Sequence, residues 1–295
     1  MTEERIGTLY AMGAYILWGF LPLYWKLAEH ISSWEILAHR VIWSFVFMIV
    51  LIIVIRRWRL FINEWRKIIS DKKKFFGIAA AGIIISLNWV LFIWAVNNDH
   101  VLDASLGYYI NPLISIFFGF IFLKERFSKL QWIAIAFAFA GVFYMTWNFG
   151  SVPWAALGLA ISFAIYGLIK KVVDLNAIFG LAIETLIVIP IALVYIVYLD
   201  VIDVGSLSFS LDGLILIGTG VATAVPLLLF GQGAKRIPLS LVGFLQYFAP
   251  TIMLLLGVFL FNEAFTSVHA ITFILIWIGL ILYSYERIRS HRKVG

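Results

Sequence analysis

Three residues inside long apolar runs carry chemistry that a hydrocarbon environment makes expensive: Glu184, His39 and Arg40. A charge at depth in a bilayer costs a few kcal/mol unless it is paired or faces water, so each reads as a working group or as half of a polar pair. Glu184 sits about 10 Å into its run and has three readings: it binds a cationic group, exchanges a proton, or pairs with a polar neighbour. His39 titrates in the physiological range, although a lone histidine near a helix end also fits a structural role. Arg40, like Glu35 and His39, lies near enough to the end of its run for the side chain to snorkel to the outer surface. An offset near 145 aligns Gly13 with Gly158 and Lys26 with Lys171, and sets Glu184 opposite His39, next to Arg40.

Two prolines stand at matching places in other runs, Pro112 about 12 Å and Pro250 about 16 Å from the start. Proline removes an amide donor and frees a carbonyl, and paired interrupted helices are the strongest sequence pointer to a midplane binding site. Beside them lie Tyr108, Tyr109 and Asn111 in one run, and Gln246 and Tyr247 in the other. These residues line a substrate, or they surround a packing kink and bond the helix next door. Trp18 and Tyr24 in the first run, and Asn88 and Trp89 in the third, are further candidates. Most of the twelve Trp and twelve Tyr belong in interfacial belts, whereas a mid-run aromatic can stack on a substrate. No His-Glu-x-x-His helix, Asp-rich cation loop, phosphate-cradling loop or Gly-x-Ser-x-Gly elbow occurs. With no cysteine either, the sequence predicts no catalytic residue, no metal and no cofactor.

The elements that must hold these residues follow from composition. Of 295 residues, 63% are hydrophobic and 13% charged, with mean hydropathy +1.01, more apolar side chain than a soluble domain of this size covers. Crossing ~30 Å of hydrocarbon takes about 20 apolar residues. Runs of that order fall near 6–27, 34–55, 75–96, 104–123, 130–148, 152–169, 178–198, 213–233, 239–261 and 268–285. The expectation is an all-α membrane protein of ten transmembrane helices, with lipid and a small-molecule substrate as partners. The net charge of +6 sits between apolar runs, where it acts as a topology signal rather than a nucleic-acid surface. Between Arg57 and Phe75, Trp58, Phe61, Trp65, Ile68 and Ile69 recur at helical spacing opposite Arg and Lys. That pattern fits a helix lying in the inner interface, with an ordinary basic loop as the alternative.

The stretch from Tyr109 to Gly141 recurs without a gap 138 residues downstream: Tyr109, Pro112, Ile114, Gly119, Glu125, Phe127, Ile133 and Gly141 match Tyr247, Pro250, Ile252, Gly257, Glu263, Phe265, Ile271 and Gly279. Around this duplication positive charge is exchanged. Lys124, Arg126 and Lys129 become Asn262, Ala264 and Ser267, while Asn97 and Asn98 become Lys235 and Arg236. The offset maps the fourth run onto the ninth, so each unit holds five helices, and an odd number inverts the second unit. With the N-terminus inside, 20 of 22 Lys and Arg fall on the cytoplasmic side, which predicts cytoplasmic termini. The units are 5–148 and 152–286. Inverted repeats are the usual construction of secondary transporters. Glu125 and Glu263 end their helices beside short loops and are expected to be structural, capping a following helix or, for Glu125, pairing with Lys124 or Arg126. Small residues at four-residue spacing, such as Ala134 and Ala138, predict close helix contact.

The segments LWGFLPLYWKL (17–27), EILAHRVIWS (35–44), NWVLFIWAVNNDHVLDASLGYYINPL (88–113) and LKERFSKLQWIAIAFAFAGV (123–142) resemble the RarD group of EamA-type transporters, within the drug/metabolite transporter superfamily. The resemblance runs from about Arg5 to Glu286. It implies a bacterial inner-membrane carrier or exporter of small metabolites or drugs, with two five-helix EamA repeats, and the RarD name brings an association with chloramphenicol sensitivity. The expected function is secondary active transport by alternating access, with a proton gradient as candidate driving force. The alternative is a passive channel or facilitator, for which rings of small or acidic residues would be the sign.

Overall fold

The computed structural model describes residues 3–123, 127–149, 152–173, 177–206, 210–234, 236–237 and 245–294. Among them are eleven α-helices and no strand: α1 (Glu3–Lys26), α2 (Ser33–Val54), α3 (Trp58–Ser70), α4 (Lys72–Asn97), α5 (Val101–Leu123), α6 (Lys129–Phe149), α7 (Trp154–Val172), α8 (Ala177–Val201), α9 (Leu211–Ala234), α10 (Phe248–Phe259) and α11 (Ser267–Val294). Seven of these, α1, α2, α4, α6, α8, α9 and α11, are long and apolar enough to cross a membrane. Helices suit this sequence because hydrocarbon offers the backbone no partner, and a helix satisfies its own amides. Phe139, Trp147, Val194 and Phe259 are exposed, the reverse of a soluble surface.

The stretch after α2 is helical rather than an ordinary loop between Arg57 and Phe75. Phe61 and Ile68 are buried and α3 packs on α2, α4 and α8. The α4 helix starts at once because Asp71 caps it, accepting from the amides of Lys73 (3.0 Å) and Lys74 (3.2 Å). Asp71→Ala is expected to cost about 1 kcal/mol, read as a lower melting temperature of the purified protein.

Contacts between the two halves follow a rule. Pairing α1 with α7, α2 with α8, α4 with α9, α5 with α10 and α6 with α11 exchanges the halves. Under that exchange α1·α9 becomes α4·α7, α2·α9 becomes α4·α8, and α5·α7 becomes α1·α10. The pairs α2·α8, α5·α10 and α6·α11 map onto themselves, and all nine contacts exist. The duplicated residues obey it too. A Cβ on Gly279 would lie 2.6 Å from the Ala134 carbonyl, and one on Gly141 would lie 3.0 Å from that of Thr272. Residue 272 is residue 134 shifted by the repeat, so one glycine seats each helix against the other. Tyr109 and its copy Tyr247 stack on each other, with centroids 6.3 Å apart and planes 15° apart.

The two prolines differ in their surroundings. The α5 helix runs unbroken through Pro112, whose side chain, like Lys124, Glu125, Arg126 and Lys235, lies outside the described residues. In the second half, residues 239–244 of the run expected from 239 to 261 lie outside the described residues; Leu245 is helical, a turn follows at Gln246 and Tyr247, and α10 takes up the helix at Phe248. Pro250 is therefore the third residue of a helix, where a missing amide proton leaves no intrahelical bond unmade.

Candidate functional site

The N-terminal half of α2 holds Glu35, His39, Arg40 and Ser44, with relative exposures of 4%, 2%, 4% and 0%. Snorkelling is thereby corrected for all three ionisable residues. Helices α4, α8 and α9 close around α2 and leave these side chains no route out. Glu35 instead accepts from the Ser206 amide (2.5 Å) and hydroxyl (3.1 Å).

Arg40 lies between aromatic faces. Its guanidinium carbon is 4.1 Å from the Trp89 ring centroid and 5.1 Å from that of Trp25, within the range where cation–π attraction is strong once water is gone. The Tyr108 phenol is close enough to sense its charge, and the Tyr108 ring meets Phe92 edge-on at 5.7 Å. Among the described residues, no carboxylate pairs with Arg40 and no acceptor reaches its buried Nε and Nη1. The Trp25 indole N–H is equally unpartnered, as are His39 Nε2, Trp43 Nε1 and Ser44 Oγ. Ser44 sits one turn along the same face of α2 as Arg40.

Glu184, 1% exposed, accepts a hydrogen bond from the Tyr166 hydroxyl at 3.0 Å. Tyr166 meets Phe163 at 6.0 Å, and Phe163 meets Tyr108 at 6.3 Å. A chain of rings thus leads from the first-half arginine to the second-half carboxylate.

Other candidates are held as packing groups. Asn88 donates to the Leu159 carbonyl (3.0 Å) and Ser162 Oγ (2.8 Å), leaving its own Oδ1 unpartnered. Asn111 donates to the Ala160 carbonyl at 3.0 Å. Both amides stitch the first half to α7, the bland reading weighed for the neighbours of Pro112. Tyr24 donates to the Ile215 carbonyl. Trp18 packs against Tyr15 (5.5 Å) and Phe230 (5.7 Å). The Pro250 carbonyl accepts from Ser105 at 2.7 Å, Thr251 Oγ1 bonds the Tyr109 hydroxyl at 2.5 Å, and Gln246 is half-buried in its turn. The structure therefore brings together Arg40, Trp89 and Tyr108 and adds Trp25, a fully buried tryptophan in the last turn of α1. A tryptophan at a run's end reads as a belt residue, so the sequence alone does not single out Trp25.

At the end of the bundle holding the C-terminus of α1, several ties join the halves. Glu263 accepts from the amides of Val101 (2.8 Å) and Leu102 (2.9 Å). It is structural as expected, but it caps α5 of the other half rather than the following helix. His30 meets Asp212 at 3.0 Å. At the opposite end Arg236 pairs with Glu3 at 3.1 Å. Burial raises the Glu263 carboxyl above its ordinary range, partly opposed by its two amide donors. A folded value above the unfolded one means that protonation favours the fold. This stabilisation is complete below the ordinary glutamate range and is lost as pH rises through the raised value. In melts from about pH 4 to about pH 7, wild type is expected to lose stability relative to Glu263→Gln; parallel curves would contradict the assignment.

Two stretches of the chain, residues 5–147 and 151–285, each match the EamA-like transporter family. The chain belongs to that family. It is 45% identical to the uncharacterized transporter YojE of Bacillus subtilis (strain 168), over 98% of this chain and 97% of the relative. It is 44% identical to protein RarD of Escherichia coli (strain K12), over 99% and 98%. It is also 28% identical to the chloramphenicol-sensitive protein RarD of Pseudomonas aeruginosa, over 97% and 96%. A solved structure titled only as a crystal structure of a protein shares the fold, with TM-score 0.61, 16% identity, and 94% of this chain and 96% of that one covered. The RarD/EamA resemblance holds along the whole chain, and this family member is an integral protein of a bacterial membrane.

Proposed function

We propose that this family member is a secondary transporter working by alternating access. It is built from two inverted five-helix repeats, residues 5–148 and 152–286, whose ten spans leave both termini on the cytoplasmic side of the inner membrane. The observation that carries this reading is the set of contacts between halves that maps onto itself when the halves are exchanged. Two near-equivalent halves give two near-equivalent states, one open to each side. In this orientation the Glu263, Glu35 and His30 ties close the outer face and release when the site opens outward, while the Glu3–Arg236 pair belongs to the inner face. The substrate is a small metabolite or drug exported from the cell, and Glu184 is the proton-exchanging group.

The experiment is uptake into proteoliposomes across amino acids, sugar derivatives and drugs, beginning with chloramphenicol because of the name of the Pseudomonas relative. A carrier gives saturable flux, accelerated by substrate on the far side and driven by an imposed proton gradient. Flux that never saturates and ignores pH gradients would instead identify a passive channel, and no flux under any gradient would remove the transport reading.

A further inference from the structure

Arg40 is a buried cation packed on aromatic faces. Its Nε and Nη1, and the indole N–H of Trp25 against which it packs, all donate, and none has an acceptor among the described residues. Leaving a charge-bearing donor buried and unpaired costs the full desolvation of that group, so a fold keeps such a group where a ligand completes it. Donors without acceptors call for a ligand whose polar end only accepts, and an ionised carboxylate does that. The walls define the remainder of the ligand. Trp25, Trp89, Tyr108 and Phe92 are all aromatic, and flat rings favour a flat partner.

We propose that Arg40 and the Trp25 indole bind the carboxylate of a small aromatic acid whose ring lies against Tyr108 and Phe92, which makes the substrate class an organic anion. Ser44 Oγ, one turn along α2 and likewise unpartnered, is a further donor to the same group. This inference rests on the transport reading for its meaning, but its test does not.

The probes are benzoate and its neutral isostere benzamide, added to the detergent-purified full chain, with melting temperature and tryptophan fluorescence as readouts. Trp25 and Trp89 flank the guanidinium, so occupancy changes their emission. Benzoate is expected to bind saturably and at least about tenfold more tightly than benzamide, as a charge-assisted contact requires. Arg40→Gln is expected to lose the benzoate response while remaining folded, with its own melting transition as the check on folding. Equal binding of the two probes by the wild-type chain, or no benzoate binding, overturns the proposal without recourse to any variant. Undiminished benzoate binding by Arg40→Gln also overturns it. Benzoate binding that needs Arg40, in a protein that moves no solute in proteoliposomes, keeps the anion site and sinks the transport reading. Saturable flux of neutral solutes that benzoate does not slow, with no benzoate binding, does the reverse.

Discussion

Replacing Glu184 with glutamine is expected to bring gradient-driven transport down to background while the protein remains folded in the membrane. Glutamine keeps the volume and can still accept from the Tyr166 hydroxyl, the bond that holds the native carboxylate at 3.0 Å. What it loses is the ability to take up and release a proton. Substrate counterflow, which needs no gradient, is expected to survive in Glu184→Gln, so the variant separates coupling from binding. A wild-type rate with an unchanged pH profile would reassign Glu184 to a structural role beside Tyr166.

Gly279→Leu is expected to be among the most damaging single changes outside the polar site. Its new Cβ would fall 2.6 Å from the Ala134 carbonyl, a backbone atom that cannot rotate away, so α6 and α11 must separate. Overpacking of this kind costs about 1–3 kcal/mol, and Gly141→Leu should behave similarly because it meets the Thr272 carbonyl at 3.0 Å. Gly167→Leu is the control. Its Cβ would meet nothing within 4 Å, and a helix gains by the exchange. Thermal unfolding of the three variants in detergent is the measurement, and equal losses would refute the seam.

Seven of the expected spans are legible because membrane-spanning runs are set by length and hydropathy, and the duplication is legible because Tyr109, Gly141 and their copies are used twice in space as well as in sequence. Glu263 was assigned the correct kind of role and the wrong helix. Its spacing from the following helix is local information, whereas its true partners, Val101 and Leu102, are more than 160 positions away. The two prolines divide on the same ground. A proline removes a donor wherever it lies, but whether the helix breaks depends on neighbours: α5 continues through Pro112, while α10 begins two residues before Pro250. Arg40 was placed near a run's end and read as free to reach water. Only the packing of α2 against α4, α8 and α9 shows that it is enclosed, and only Trp25 and Trp89 together show what encloses it.

Because the chain lacks cysteine, the opposite facing of the two proposed copies is directly measurable. Asn98 and Arg236 are the same position in the two copies, 138 residues apart. In single-cysteine variants Asn98→Cys and Arg236→Cys, a membrane-impermeant maleimide added to intact spheroplasts is predicted to label position 98 and spare position 236, with the pattern reversed in inside-out vesicles. Labelling of both positions from the same side would contradict the inversion, and with it the alternating-access account.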